Sequence, residues 1–255
     1  MNQASFEGVG GLKISTRSWR PAAIKARAVV IIVPGFKSHS GYYTWAAEQL
    51  MAKGLAVYAL DLRGRGNSEG ERFYVEKFGD YVNDVATLVT IAKSQDPGLK
   101  VFLLGHSAGG VVSWLYALDY QPEIAGLICE SFAYELPAPD FALAVLKGLS
   151  QVAPHAHVLK LRNEWFSRDS KVVESMNNDP LLADEVQPTQ TIAGCGKPGR
   201  IRQSHGLADT IIVNGRSKPV HALTEEETGE PDRRAANNHR ICLVRRSSRS
   251  GTAQR

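Results

Sequence analysis

The chain has 255 residues, 43% of them hydrophobic and 22% charged, which excludes wholesale disorder and leaves room for one sizeable α/β domain with a full core. Cys129, Cys195 and Cys242 are too few and too scattered for a disulfide framework or a spaced metal site. Residues 1–13 lack a basic region followed by an apolar run, and no apolar stretch reaches membrane-spanning length; a soluble, unexported, cytoplasmic protein is the expectation. The formal charge of +4 is uneven: residues 1–193 carry 18 Lys/Arg against 20 Asp/Glu, whereas 194–255 carry 12 against 6.

In chain order, residues 28–33 form a continuous β-branched run suited to a strand buried on both faces, ended by Pro34-Gly35-Phe36. A helical pattern over 42–52 stops at Gly54, and 55–60 predicts a second buried strand. Asp61-Leu-Arg-Gly-Arg-Gly-Asn-Ser68 matches neither the dinucleotide fingerprint nor the P-loop, and is read as a structural loop. Apolar residues from Phe78 to Ala92 recur at helical spacing, and Asp96-Pro97-Gly98 closes that helix. The apolar run from Val101 then meets Gly105-His106-Ser107-Ala108-Gly109, a G-x-S-x-G sequence with an amphipathic helix at once behind it. Strand, sharp turn and helix are what a nucleophile elbow requires, and Ser107 is the candidate nucleophile. A further buried strand is expected over 124–129. Strands alternating with helices predict a mostly parallel sheet covered on both faces, with the site beyond the carboxyl ends of the strands.

Val33-Pro34-Gly35-Phe36 with Ser38-His39-Ser40-Gly41-Tyr42-Tyr43, Asp61-x-Arg63-Gly64-x-Gly66-x-Ser68, and Gly105-His106-Ser107-Ala108-Gly109-Gly110 together resemble the monoacylglycerol lipase and lysophospholipase branch of the α/β-hydrolases, over roughly residues 6–193. Many members have His-Gly where this chain has Pro34-Gly35. The resemblance implies a serine carboxylic ester hydrolase with no cofactor, acting on acyl glycerol or lysophospholipid-like esters. Ser107 would attack the carbonyl, and the backbone N–H groups of Phe36 and Ala108 would hold the oxyanion. His106 adjoins the nucleophile and is not expected to be the base. The Phe36 side chain is free to be a core aromatic.

The resemblance divides the chain into a core over 1–130, a cap over 131–190 and an atypical segment over 191–255. Residues 141–149 are apolar nearly all round, and Trp165-Phe166 adds two aromatics, consistent with either a core helix or a lid over acyl chains. An exposed lid would touch membrane surfaces transiently. His155 and His157 are assigned no role.

The acid and the histidine of this fold follow the nucleophile in the chain. All 20 aromatic residues nevertheless fall in 1–193, and beyond that point only Thr210-Ile-Ile-Val-Asn214 reads as a buried strand. His205-Gly206-Leu207-Ala208-Asp209 resembles the family's acid segment and His239 follows at a suitable separation, which favours Asp209 as acid and His239 as base; His221 is the runner-up base. The alternative is a tail unrelated to the family, through a shifted frame or a fusion. The protein would then be a catalytically impaired hydrolase fold that binds lipid or a partner. Arg245-Arg-Ser-Ser-Arg249 lacks aromatic interleaving and reads as solvated, so no nucleic-acid partner is expected.

Overall fold

The computed structural model describes residues 1–22, 24–131, 140–182, 186–188, 191–192, 210–215 and 239–244, the last two segments as backbone strands. Eight strands form one sheet in the order β1-β2-β4-β3-β5-β6-β9-β10. They are β1 (Asn2–Glu7), β2 (Lys13–Trp19), β3 (Val29–Val33), β4 (Ala56–Leu60), β5 (Val101–His106), β6 (Gly126–Glu130), β9 (Thr210–Gly215) and β10 (His239–Val244). The central pairs β4–β3, β3–β5, β5–β6 and β6–β9 are parallel; β1–β2, β2–β4 and β9–β10 are antiparallel.

The continuous apolar runs become strands because both faces of the sheet are covered. Side chains alternate across a strand, so Val29, Ile31 and Val33 join Tyr58, Leu60 and Leu103 on one face. Val30, Ile32, Val57 and Ala59 join Trp19 on the other. The first face is covered by α2 (Phe78–Gln95) and α3 (Ala108–Asp119), through stripes that include Tyr81, Val85, Leu88, Val112 and Tyr116. The second is covered by α1 (Thr44–Ala52), through Ala47, Leu50 and Met51. The strand order turns about β3, with β4 on one side and β5 on the other. The loops leaving β3 and β5 therefore diverge at a switch point, and that crevice is where such sheets bind ligands.

Two elements depart from the sequence reading. The hairpin of β1 and β2 was not foreseen. Beyond residue 193, where a single strand was expected, the structure pairs two: β9 and, antiparallel to it, β10.

The loop after β4 is structural, as expected. Asp61 accepts the N–H groups of Ser40 and Asn67 at 2.7 and 2.9 Å, and the Ser68 hydroxyl donates to the Asp61 carbonyl at 2.7 Å. Arg63 is locked to Asp84 of α2 by two hydrogen bonds, both 2.8 Å, in a buried setting where Asp84 also accepts the Val9 N–H. Asp84→Ala would leave the guanidinium with Asp80 at 3.6 Å. The variant is expected to lose about 3 kcal/mol of stability, read from the midpoint of urea unfolding.

Between β6 and β9 come α4 (Asp140–Val152), α5 (Ser170–Asn177) and the short pair β7 (His157–Lys160) and β8 (Val186–Pro188). Phe141, Val145 and Val152 of α4 are 73, 65 and 81% exposed, and Trp165 is 63% exposed. Among the described residues the α4 face is thus not the core helix that its composition allowed. The chain beyond α5 returns to the loop after β4. The Arg72 guanidinium donates to the Leu181 carbonyl at 2.7 Å, and the Thr191 hydroxyl donates to the Phe73 carbonyl at 3.0 Å. His155 is not simply solvated: it stacks on Tyr74 at 4.1 Å and bonds Glu71 at 2.7 Å.

Candidate active site

Ser107 follows β5 directly and adopts φ 54° and ψ −120°, a conformation that L side chains rarely occupy. Its N–H donates to the Glu130 carbonyl at the end of β6, at 2.9 Å, and α3 begins at the next residue. A backbone held this way at a sharp turn is a stored strain of about 1–3 kcal/mol. The flanking glycines let the two elements meet. A Cβ on Gly105 would fall 2.6 Å from the Gly109 carbonyl oxygen, and one on Gly109 would fall 2.1 Å from that of Val33. Both requirements of the motif are therefore steric and are met in this chain.

The loop after β3 lies against the elbow. A Cβ on Gly35 would come within 3.2 Å of the Ser107 Cβ, so the Gly35–Phe36 peptide runs beside the nucleophile. The Phe36 side chain is a core aromatic, packed against Phe78 and Tyr81 at 6.5 and 5.9 Å. Buried Arg65 fixes the same residue from a second side, its guanidinium 4.3 Å from the ring centre and donating to the Phe36 carbonyl at 2.9 Å. Ala108 opens α3, so its N–H belongs to the set that has no intrahelical acceptor. The structure thus brings Ser107, Phe36 and Ala108 together at the switch point.

Other side chains of this loop are also tied down. The Tyr43 hydroxyl lies 2.8 Å from His106 Nδ1 and 3.2 Å from the Ser38 Oγ, and it accepts the Gly35 N–H at 3.3 Å. His39 accepts the Gly41 N–H at Nδ1, 3.1 Å, which leaves Nε2 to donate to Asp179, two residues past α5, at 3.0 Å. Burial pushes the Asp179 carboxyl up, but its hydrogen bonds with the His39 ring, the Leu181 N–H and the Tyr42 hydroxyl hold it below its usual value. The Cys129 thiol is buried and pushed up to about 12, so it is no competing nucleophile.

Asp209 and His221 lie outside the described residues. Thr210 opens β9 opposite Leu127, itself opposite Leu103, four residues before Ser107. That is about 13 Å down the strand from the elbow. His239 begins β10 opposite Gly215, at the same carboxyl edge as Ser107. It stands three strands from β5, about 14 Å along the hydrogen-bonding direction.

A strained serine between a parallel strand and its helix, beside a loop from the neighbouring strand of a two-faced sheet, defines the α/β-hydrolase class. The model of one family in that class, described as serine aminopeptidase, S33 (Hydrolase_4), matches residues 24–199. The chain belongs to this family. It is 33% identical over 219 residues to a monoacylglycerol lipase of Mycolicibacterium smegmatis, covering 84% of this chain and 78% of that one. It is 35% identical over 175 residues to the monoglyceride lipase of Homo sapiens, covering 68% of this chain and 57% of the relative. Against a monoglyceride lipase homolog of Monkeypox virus the chain covers 62% of the relative's length. Among solved structures, the monoacylglycerol lipase of Paleococcus ferrophilus superposes with a TM-score of 0.66 at 25% identity, covering 78% of this chain and 75% of that one. No helix among the described residues is long and apolar enough to cross a membrane.

Proposed function

We propose that this protein hydrolyses carboxylic esters of the acylglycerol or lysophospholipid type through an acyl-enzyme on Ser107. The observation that carries the reading is the strained Ser107 backbone with the Gly35–Phe36 peptide beside it. In this reading Ser107 Oγ attacks the ester carbonyl, and the N–H groups of Phe36 and Ala108 receive the charge on its oxygen, each donor contributing about 3 kcal/mol. The alcohol leaves, and water releases the fatty acid from the serine in a second step. Core 1–130, cap 131–190 and segment 191–255 divide the work, the last carrying the acid Asp209 and the base His239. The cap faces the acyl chain, and its exposed Phe141, Val145, Val152, Trp165 and Phe166 support transient contact with a membrane surface.

The placement of β9 and β10 favours a second reading, in which Ser107 has no base within reach and the protein binds lipid without turning it over. Release of p-nitrophenol from short and medium acyl esters separates the two, with Ser107→Ala as background and with His239→Ala and His221→Ala alongside. The first reading expects turnover that is lost in His239→Ala and kept in His221→Ala. Loss in His221→Ala alone moves the base to His221. Folded wild-type protein with no turnover above background overturns the first reading in favour of the second.

A further inference from the structure

We propose that Tyr43 is a positioning residue for acyl transfer: its hydroxyl, bridging Gly35 and His106, sets the gap between the oxyanion loop and the elbow. This rests on the ester-hydrolase reading above. Ser38 Oγ donates its one proton to the Gly35 carbonyl at 3.1 Å. Burial pushes the Tyr43 phenol up to about 12, so it keeps its proton. Burial holds His106 below its usual value, against the pull of Glu130. The Tyr43 hydroxyl lies 2.8 Å from His106 Nδ1, nearer than its 3.2 Å to the Ser38 Oγ, and its oxygen accepts the Gly35 N–H at 3.3 Å. His106 precedes the nucleophile and Gly35 precedes Phe36. One hydroxyl thus holds the residue before each end of the proposed catalytic pair, and it occupies the His106 nitrogen that faces the loop.

Removing that hydroxyl leaves the Gly35 N–H and His106 Nδ1 without it, and the two loops lose their common fixing point. A displacement of about 1 Å at such a site costs about 10²-fold in rate. Because the oxyanion contact is made chiefly in the transition state, the loss belongs in kcat.

The test is Tyr43→Phe in the full chain. Its kcat for p-nitrophenyl esters is expected to fall about 10- to 100-fold with KM within about twofold, and hydrogen exchange over residues 34–38 is expected to speed up. His106→Leu should match it. His106→Asn, which keeps an acceptor near the Nδ1 position, should recover most of the loss. Tyr43→Phe with wild-type kcat, or with the loss confined to KM, overturns the proposal while the hydrolase reading stands. If the wild type itself shows no Ser107-dependent turnover, the hydrolase reading fails and the positioning role with it. Unchanged exchange over 34–38 in Tyr43→Phe then overturns the bridge itself.

Discussion

Ser107→Ala is expected to lower kcat/KM for ester substrates by about 10⁴-fold or more, to the level of the background reaction, because it removes the hydroxyl proposed to form the acyl-enzyme. The same position allows a sharper measurement. At φ 54° and ψ −120° an alanine is as strained as a serine, whereas a glycine is not. Ser107→Gly should therefore be equally inactive yet more stable than Ser107→Ala by about 1 kcal/mol, after the greater chain entropy of glycine is discounted. Urea unfolding of the two variants checks this. Equal stability would mean that the elbow is not strained in solution.

Gly109→Ala is the second large effect, and it acts on the fold. The added Cβ would sit 2.1 Å from the Val33 carbonyl oxygen and 2.4 Å from that of Pro34, both backbone atoms that no side-chain rotation can move. Relief requires α3 to shift away from β3, which separates Val112 and Tyr116 from the sheet they cover. A loss of more than about 3 kcal/mol is expected, which in a domain of this size lowers the melting temperature by about 6–12 °C. Ester hydrolysis should fall in the remaining folded fraction too, because Ala108 moves with the helix. Thermal unfolding together with kcat per folded molecule separates the two consequences.

The parts of the fold that were legible in the sequence are those where burial is two-sided or strictly periodic. Residues 28–33 stand out because β3 lies between two strands and two helical layers, and the stripe from Phe78 to Ala92 stands out because one face of α2 is wholly buried. The elbow was legible for a different reason, since its glycines answer a local steric demand that a short motif records. The β1–β2 hairpin was not read because β1 is exposed at almost every residue and β2 buries only Ile14, Thr16 and Trp19. Ile241 to Val244 were passed over because arginines flank them closely on both sides. The fixing of the loop after β3 was equally hidden. Tyr43 and His106 are 63 residues apart, and His39 and Asp179 are 140 apart. Those partners become neighbours only once the sheet order is known.

The order of the sheet also bears on how the chain folds. Strands β1 to β6 and the three helices that cover them arise from the first half of the sequence and can pair as soon as that half has been made. Strand β9 is different, because its partner Leu127 on β6 precedes Thr210 by on the order of eighty residues, with α4 and α5 between them. Its docking is therefore a late, slow event in refolding. Until it happens, β6 presents a bare apolar margin to other molecules, and the kinetic contest between intramolecular docking and self-association is decided at that margin.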